Sequence, residues 1–338
     1  MRRLRICTVK TIIPILTASA LFAGCVKDEL NHTSYDSFIN REITFQLAPI
    51  VKADSSAFAL TNLFEVGAFY LEPGLQWCTS SPDSQVYFPA TTVSYSDGRW
   101  SSYDTYEWPQ DGGRLTIFGW SLNSDYLSFH PGSSASVLID REKGVCLNSF
   151  DMSLEDNTEF MVALANPSGT SPVTTHFRHQ LSKLRISACT GADYSASKEI
   201  LLTSLCLKNV VKEADYQQGE FEGGLWNEIH RWTARSTYDA VYGDYSLSPV
   251  SLSDRQQVLQ GRQYLYVPQN FVPDQEILEV RYVISDIESG FTEYVTENLS
   301  LYSLVPGGAF RNGEVHDICL TLSLDQITWD PDIVEWEG

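Results

Sequence analysis

The sequence predicts an all-β protein, built as sandwiches in which one face of each sheet is buried. Runs of alternating apolar and polar residues recur along the chain, and this period of two is typical of half-buried strands. Tyr, Trp and Phe make up 12% of the residues, and aromatic side chains favour strands. Few stretches show the apolar period of a helix. A length of 338 residues favours two domains over one.

Residues 1–24 have the features of a bacterial signal peptide. Four basic residues precede an apolar run over 11–22, which is too short to span a bilayer. Gly24 and Cys25 then resemble a lipobox, in which the signal peptide is cut before the cysteine and the thiol carries lipid. Phe22 stands where Leu is usual. The alternative is an ordinary signal peptide followed by an incidental cysteine.

The segment after Cys25 predicts where the protein is displayed. Lys27, Asp28 and Glu29 resemble the export signal of some Gram-negative surface lipoproteins, within a polar tether over 25–41. We therefore expect outer-membrane lipid to hold Cys25 and the protein to face the medium. The alternative is that this tripeptide is only part of a charged tether.

The net charge argues against anionic partners. Without residues 1–24 the chain has 19 basic and 43 acidic residues, a net charge of −24. Such a surface repels nucleic acid and anionic lipid. We interpret the acidity as a solvated surface.

The cysteines predict neither a metal site nor a disulfide framework. Beyond Cys25 they are odd in number and form no CxxC pair, so a zinc site is not expected; they are Cys78, Cys146, Cys189, Cys206 and Cys319. The last three lie in apolar runs, where a thiol behaves as a small buried hydrophobe.

The strands can be placed by their alternation. Ile43, Phe45 and Leu47 share one face of the first predicted strand. Later apolar positions with the same period are Phe64, Val66, Ala68 and Tyr70, then Ile318, Leu320, Leu322 and Leu324. Further strands are predicted at RLTIFGW (114–120), YLYVPQ (264–269) and EILEVRYVIS (276–285). Ser289-Gly290 and Asn312-Gly313 predict hairpin turns.

One segment allows two interpretations, and a nearby one predicts a domain boundary. Residues 153–165 fit a helix that begins with a capping box of Ser153 and Asp156, but FMVALA (160–165) fits a strand equally well. The following NPSGTSP (166–172) is rich in turn residues. It predicts domains over 42–168 and 172–338.

The basic stretch HFRHQLSKLRIS (176–187) raises the question of a metal or catalytic site. On a helix, His176 and His179 would share one face, whereas on a strand they point to opposite faces. The apolar positions change face along the stretch, which indicates a bulge or a twist; they are Phe177, Leu181, Leu184, Ile186 and Ala188. We favour a structural strand in which one histidine is partly buried.

An acidic and aromatic segment over 95–111 has three interpretations. Its carboxylates fit calcium in ligand type but match no known loop; they are Asp97, Asp104, Glu107 and Asp111. Its rings could stack on sugars, or pack in the core, which we favour; they are Tyr95, Trp100, Tyr103, Tyr106 and Trp108. No catalytic motif accompanies them, so neither an enzyme nor a cofactor is expected.

Taken in order, these segments resemble the fimbrillin family, the subunits of type V pili with their anchor and tip lipoproteins. The resemblance covers nearly all of the mature chain. It is carried by the lipobox Cys25, ITFQL, FEVGAFY, YEWP, LTIFGW, TEFMVALANP, HFRHQLSKLRI, YLYVPQ, LEVRYVIS and ITWDPDIVEWEG.

The resemblance implies a fold and a mode of assembly. The family fold is two β-sandwich domains of transthyretin-like Greek-key type. In polymerising members a protease removes the first strand, and a C-terminal strand of the neighbouring subunit fills the groove. Here Ile43, Phe45 and Leu47 would plug that groove. The incoming strand would present Ile327, Trp329, Ile333, Val334 and Trp336.

The chain departs from the family at the cleavage site. Family cleavage usually follows a basic residue, often arginine, in the loop after the first strand, and here that loop offers only Lys52. Arg41 precedes the strand, so a cut there would open nothing. Stalk, tip and anchor roles remain open, with other pilus subunits as partners and a host protein or glycan as the adhesion target. The alternative is a surface glycan-binding lipoprotein.

Overall fold

The computed structural model describes residues 41–48, 63–122, 135–152, 159–169, 171–190, 198–242, 256–257, 264–323 and 327–335. The predicted signal peptide, Cys25 and the export tripeptide lie outside these residues. So do Lys52, Leu324 and Trp336. Among the described residues, none of the helices is long and apolar enough to cross a membrane.

Strands account for most of the described chain, so the all-β prediction is confirmed. The first ten strands are β1 (Phe45–Leu47), β2 (Leu63–Leu71), β3 (Gln85–Ser96), β4 (Arg99–Ser102), β5 (Arg114–Ser121), β6 (Ser136–Asp140), β7 (Gly144–Asp151), β8 (Met161–Ala165), β9 (Val173–Thr175) and β10 (Arg178–His179). The later strands are β11 (Ser182–Thr190), β12 (Lys198–Glu222), β13 (Leu225–Tyr242), β14 (Gln256–Gln257), β15 (Leu265–Tyr266), β16 (Gln269–Asn270), β17 (Ile277–Asp286), β18 (Thr292–Ser300), β19 (Ala309–Phe310), β20 (Glu314–Leu322) and β21 (Ile327–Glu335). The helices are single turns, α1 (Trp77–Ser80) and α2 (Leu301–Leu304), with 3₁₀ turns at Ser81–Asp83 and Pro306–Gly308.

Within the described residues these strands form three large sheets and one small one. The first sheet has the order β10-β8-β5-β2-β3-β4-β1-β9. The second has the order β18-β17-β12-β7-β6, with β13 also paired to β12. In the third, of order β14-β11-β20-β21, β15 pairs with β11, while β16 and β19 form the small sheet.

Both faces of the first sheet are buried at its centre. In β2, Val66 and Ala68 enter one apolar cluster while Phe69 enters another. The first cluster, which we call the inner core, lies on the face that β1 covers. The second also takes residues from β7 and β12 of the second sheet. A third cluster joins the second and third sheets. The period-two pattern therefore identifies the strands but understates how deeply β2 is buried.

The second sheet combines strands from both sides of the predicted boundary at 166–172. β7 precedes that boundary and pairs antiparallel with β12, which follows it. Residues 40–338 group as one compact unit. The division into two domains and the Greek-key detail stay predictions.

Several local predictions can now be compared with the structure. FMVALA contains a strand, β8, and the helical interpretation is wrong over 161–165, while 153–158 lies outside the described residues. Ser289-Gly290 joins the paired strands β17 and β18, as predicted. Asn312-Gly313 is a turn but not a hairpin, because β19 pairs with β16 and not with β20.

The five cysteines in the described chain are free thiols. Cys206 and Cys319 are buried, as predicted, whereas Cys189 is only half-buried. Cys78 is exposed and Cys146 is buried. Burial raises the pKa of Cys146 to about 11, so this thiol stays protonated at neutral pH.

Candidate functional site: the first strand, its groove and the last strand

The first strand lies between two neighbours. β1 pairs antiparallel with β4, where Phe45 lies opposite Trp100. On its other edge β1 pairs parallel with β9, so that Phe45, Gln46 and Leu47 lie opposite Val173, Thr174 and Thr175. A strand with neighbours on both sides has both rows of backbone groups engaged.

Main-chain hydrogen bonds extend this pairing beyond β1 itself. On the β4 side, the Ile43 N–H donates to the Tyr106 carbonyl at 2.8 Å. On the β9 side, the Val173 N–H donates to the Thr44 carbonyl at 2.7 Å, and the Ala48 N–H donates to the Thr175 carbonyl at 2.9 Å. The backbone from 43 to 48 is therefore held from both sides.

The side chains of this segment alternate between core and solvent. Ile43 is 1% exposed and Phe45 is 4% exposed, while Leu47 is half-buried and Gln46 is exposed. Phe45 contacts Phe64 edge to face, with ring centroids 6.1 Å apart. Burying the side chains of Ile43 and Phe45 stabilises the fold by about 2 kcal/mol each. Without this segment, the inner core would be exposed to water as a groove in the place that Ile43 and Phe45 now fill.

Ser171 ties the start of this segment to both walls of the groove. Its hydroxyl donates to the Glu42 carbonyl and accepts the Thr44 N–H at 3.3 Å. The same oxygen accepts the Trp108 indole N–H at 3.0 Å. One half-buried hydroxyl thus links the first strand to the segment before β9 and to the segment before β5.

The last strand has a different position, at the edge of the third sheet. β21 pairs with β20 along its whole length, from Ile327 opposite Leu322 to Glu335 opposite Glu314. Ile327 is buried, but Trp329 and Ile333 are 38% and 37% exposed. Pro331 cannot donate a ladder hydrogen bond, and proline in sheets is confined to such edges. Val334 lies opposite Val315 in the register.

A fully buried histidine lies under this edge strand. His316 of β20 is opposite Ile333 in the register and packs on Phe310, with ring centroids 5.1 Å apart. Burial, and next the positive charge of Arg311, lower the pKa of His316 to about 4. The Glu314 carboxylate lies 3.7 Å from its Nε2. The ring is therefore neutral at physiological pH.

Comparisons with known proteins identify the family of this chain. The model of the family described as fimbrillin-like matches residues 75–317, which is more than half of the chain. The chain belongs to the fimbrillin-like family. No protein in the curated set matches the sequence of this fimbrillin-like chain.

Three solved structures that match this chain are fimbrial proteins by name. A fimbrial protein from Bacteroides vulgatus matches with a TM-score of 0.62 at 14% identity, covering 88% of this chain and 100% of its own. A fimbrial assembly protein from Parabacteroides distasonis has a TM-score of 0.40 and 8% identity, covering 87% and 98%. The fimbrial anchor protein Mfa2 from Porphyromonas gingivalis has a TM-score of 0.32 and 12% identity, covering 88% and 98%. The first of these shows that the fimbrillin-like chain shares its fold with a fimbrial protein.

The two histidines of the basic stretch do not meet in this fimbrillin-like chain. His176 is exposed, whereas His179 is buried on β10 beside the Glu159 carboxylate. The expected bulge is wrong: β10 belongs to the first sheet and β11 to the third, so the apolar face changes where the chain crosses between sheets near Gln180. Among the described residues, no group of three or more His, Cys, Asp or Glu side chains is arranged to hold a metal ion.

The acidic and aromatic segment of the fimbrillin-like chain mostly packs inward. Trp108 belongs to the inner core, and Tyr106 stacks on Phe88 with ring centroids 4.4 Å apart. Trp100 packs against Phe64 at 5.1 Å. Tyr103, at 91% exposure, is the ring that faces solvent most fully. The segment therefore has two exposed rings, Tyr103 and Tyr95, the latter at 49% exposure and packed at 5.2 Å against the half-buried Trp100.

Sequence reasoning located β1 and β21 but missed Ser171. Its role depends on the parallel pairing of β1 with β9, residues about 128 positions apart in the chain. Alternation identifies strands but carries no information on which distant strands become neighbours. A Ser-Pro pair in a turn-rich stretch gives no signal of a hydrogen-bonded link.

Proposed function

We propose that the protein is a lipid-anchored fimbrial component at the cell surface, structural and adhesive, that assembles by donor-strand exchange. In this proposal β1 leaves its groove, and β21 with the residues that follow it, from a neighbouring subunit, takes its place. The family assignment supports a fimbrial role. The protein works by assembly, not by turnover of a substrate.

The observation that carries the proposal is the burial of β1 between two strands. Ile43 and Phe45 are almost inaccessible, and backbone hydrogen bonds hold the segment on both sides. Removing it would leave unpaired N–H and C=O groups on both walls of an apolar groove. An exposed strand edge beside apolar pockets is the surface to which another strand adds.

The last strand has features that support its role as the donor strand. Ile327, Trp329 and Ile333 lie on one face of β21, with Pro331 at the alternate position between the last two. On β1 and the residues just before it, Ile43, Phe45 and Leu47 occupy three successive alternate positions. β21 has one strand neighbour among the described residues and leaves two of its apolar side chains half-exposed, whereas Ile43 and Phe45 are almost fully buried. Moving the half-exposed side chains of β21 into a closed groove would bury them more completely.

Anchoring and export follow from the N-terminal motifs. Cys25 would carry the lipid in the outer membrane, and Lys27, Asp28 and Glu29 would direct the protein to the outer surface. A cut after Lys52 would separate the anchor and β1 from the rest of the chain. The uncut protein then acts as an anchor, and the cut protein joins the fibre with other pilus subunits.

Limited trypsin digestion of the mature protein tests the exchange. We expect a new N-terminus at Ala53, loss of the β1 peptide and growth of oligomers, measured by N-terminal sequencing and size-exclusion chromatography. Lys52→Gln should prevent both cleavage and growth. Lys143→Gln, in an exposed turn between β6 and β7, is the matched control and should behave as the wild type.

A synthetic peptide of residues 327–335 sharpens the test. The peptide should bind the cut protein and stop oligomer growth, whereas a peptide with Asp in place of Trp329 and Ile333 should do neither. Cleavage at Lys52 that yields only monomers unable to bind the peptide would rule out the exchange.

A further inference from the structure

A cavity of about 720 Å³ shares Trp108 and Leu115 with the inner core, but the residues of β1 do not line it. It is formed where α1, the segment before β5, the segment after β8 and Trp226 of β13 come together. Ligand sites in proteins commonly have volumes of about 300–1,000 Å³. The cavity therefore has the size of a small-ligand site, and neither strand exchange nor the anchor uses it.

Aromatic and amide side chains form much of its wall. The indoles of Trp77, Trp108 and Trp226 line it, together with Gln76 and Asn166. Trp77 is fixed by a stacked contact with Phe69 at 5.5 Å and an edge contact with Trp226 at 5.9 Å. The wall is thus held in place before any ligand arrives.

Two buried hydrogen-bond donors of this wall have no acceptor among the described residues. They are the indole N–H groups of Trp77 and Trp226. The Asn166 carbonyl oxygen accepts the Thr116 hydroxyl at 2.7 Å, which leaves the NH₂ group of Asn166 for another acceptor. The two buried indole donors are unfavourable without acceptors, and the exposed Asn166 amide is open to a ligand, so a ligand that brings oxygen atoms would suit this wall.

The charge of the lining is opposite to that of the protein. The described lining residues include no Asp or Glu, and Arg114 is the charged side chain among them. Arg114 makes no ion pair with the described residues. In a chain with a formal net charge of −20, an unpaired guanidinium beside an acid-free cavity favours an anionic ligand.

We propose that this cavity binds a carboxylated sugar residue of a glycan. The apolar C–H face of a sugar ring would pack against the indoles, its hydroxyl oxygens would accept from indole and amide N–H groups, and its carboxylate would pair with Arg114. The site gives the molecule an adhesive function that does not depend on strand exchange. It is therefore tested on the uncut protein.

Saturation-transfer NMR on the mature, uncut protein is the direct test. The probes are glucuronate and N-acetylneuraminate, with glucose and N-acetylglucosamine as neutral counterparts. We expect saturable binding of the carboxylated sugars and at least fivefold weaker binding of the neutral ones. Arg114→Gln should weaken binding of the carboxylated sugars roughly tenfold, the loss of one charge-assisted hydrogen bond, and leave the neutral sugars unchanged.

Two further variants locate the site. Ser168→Phe places a ring into the cavity from its exposed rim and should abolish binding, with an unchanged melting temperature. Arg99→Gln removes an exposed arginine of β4 that does not line the cavity and should bind as the wild type. Absence of saturable binding, or equal binding by the Ser168→Phe or Arg114→Gln variant, would overturn the proposal.

Discussion

The first and last strands of this molecule present the same alternation of apolar residues in opposite situations. β1 is three residues long, has a strand on each side and buries Ile43 and Phe45. β21 is nine residues long, has β20 as its strand neighbour and leaves Trp329 and Ile333 more than a third exposed. Residue for residue, the apolar side chains of the short strand and its flank are the more deeply buried.

The alternation of apolar residues is encoded in the sequence, but how deeply each strand is buried depends on its position in the fold. Alternation makes both segments able to fill an apolar groove. The position in the fold then decides how completely the apolar side chains of each segment are buried. In the proposed exchange, β1 is the strand that a cut must first detach, and β21, at the edge of its sheet, is the strand that another molecule receives.

The largest expected effect on stability comes from substituting Phe45 of β1. Phe45→Ala should lower the free energy of unfolding by about 3 kcal/mol or more, because it opens a cavity in the inner core beside Phe64. Urea denaturation followed by tryptophan fluorescence measures it. A loss below about 1 kcal/mol would mean that β1 does not hold the inner core together.

Acid should weaken the β21 side of the molecule. The folded pKa of His316, about 4, lies below its ordinary value of 6.5, so the unfolded chain binds more protons between these two values. Stability is fully present above pH 6.5 and decreases as the pH falls towards about 4, by about 3 kcal/mol from this group. Denaturation at pH 7, 5.5 and 4 tests this.

His316→Leu is the matched variant for the pH series. It should be less sensitive to acid than the wild type over the same range, since the titrating group is gone. An equal decline in both proteins would assign the acid sensitivity to other groups, such as the buried pair of His179 and Glu159.

A medium effect is expected at the link between β1 and its walls. Ser171→Ala removes the hydroxyl that bonds Glu42, Thr44 and Trp108, and should cost about 1–2 kcal/mol of stability. Thr174→Val removes an exposed bond to the Gln46 amide and should cost less than about 0.5 kcal/mol. Equal losses in the two variants would show that Ser171 has no special role.

How much of this architecture the sequence predicts depends on the range of the interaction. The buried faces of Ile43 and Phe45, and of Ile318 and Leu320, follow from alternation because the period of a strand is local. The pairing of β7 with β12 does not, since nothing near either strand specifies a partner so far along the chain.

The site shows the same limit. The face change in the basic stretch has the pattern of a bulge, but its cause is that the chain crosses between sheets near Gln180. The contacts of Ser171 and the cavity lined by Trp77 and Trp226 arise only when distant segments meet. Sequence motifs identify the family, whereas the groove depends on which distant strands become neighbours.

The smallest effect on stability is expected in β21. Trp329→Ala should lower the free energy of unfolding by about 1 kcal/mol, because the side chain is already partly exposed. The same substitution should strongly reduce oligomer growth after the cut at Lys52, measured by size-exclusion chromatography. Unchanged assembly would exclude Trp329 as a groove-filling residue.

N-terminal sequencing of the subunits in fibres recovered from the cell surface tests the central claim most directly. If β1 gives way to the last strand of a neighbour, these subunits begin at Ala53. Fibres whose subunits still carry residues 43–47 on the same chain would contradict the exchange.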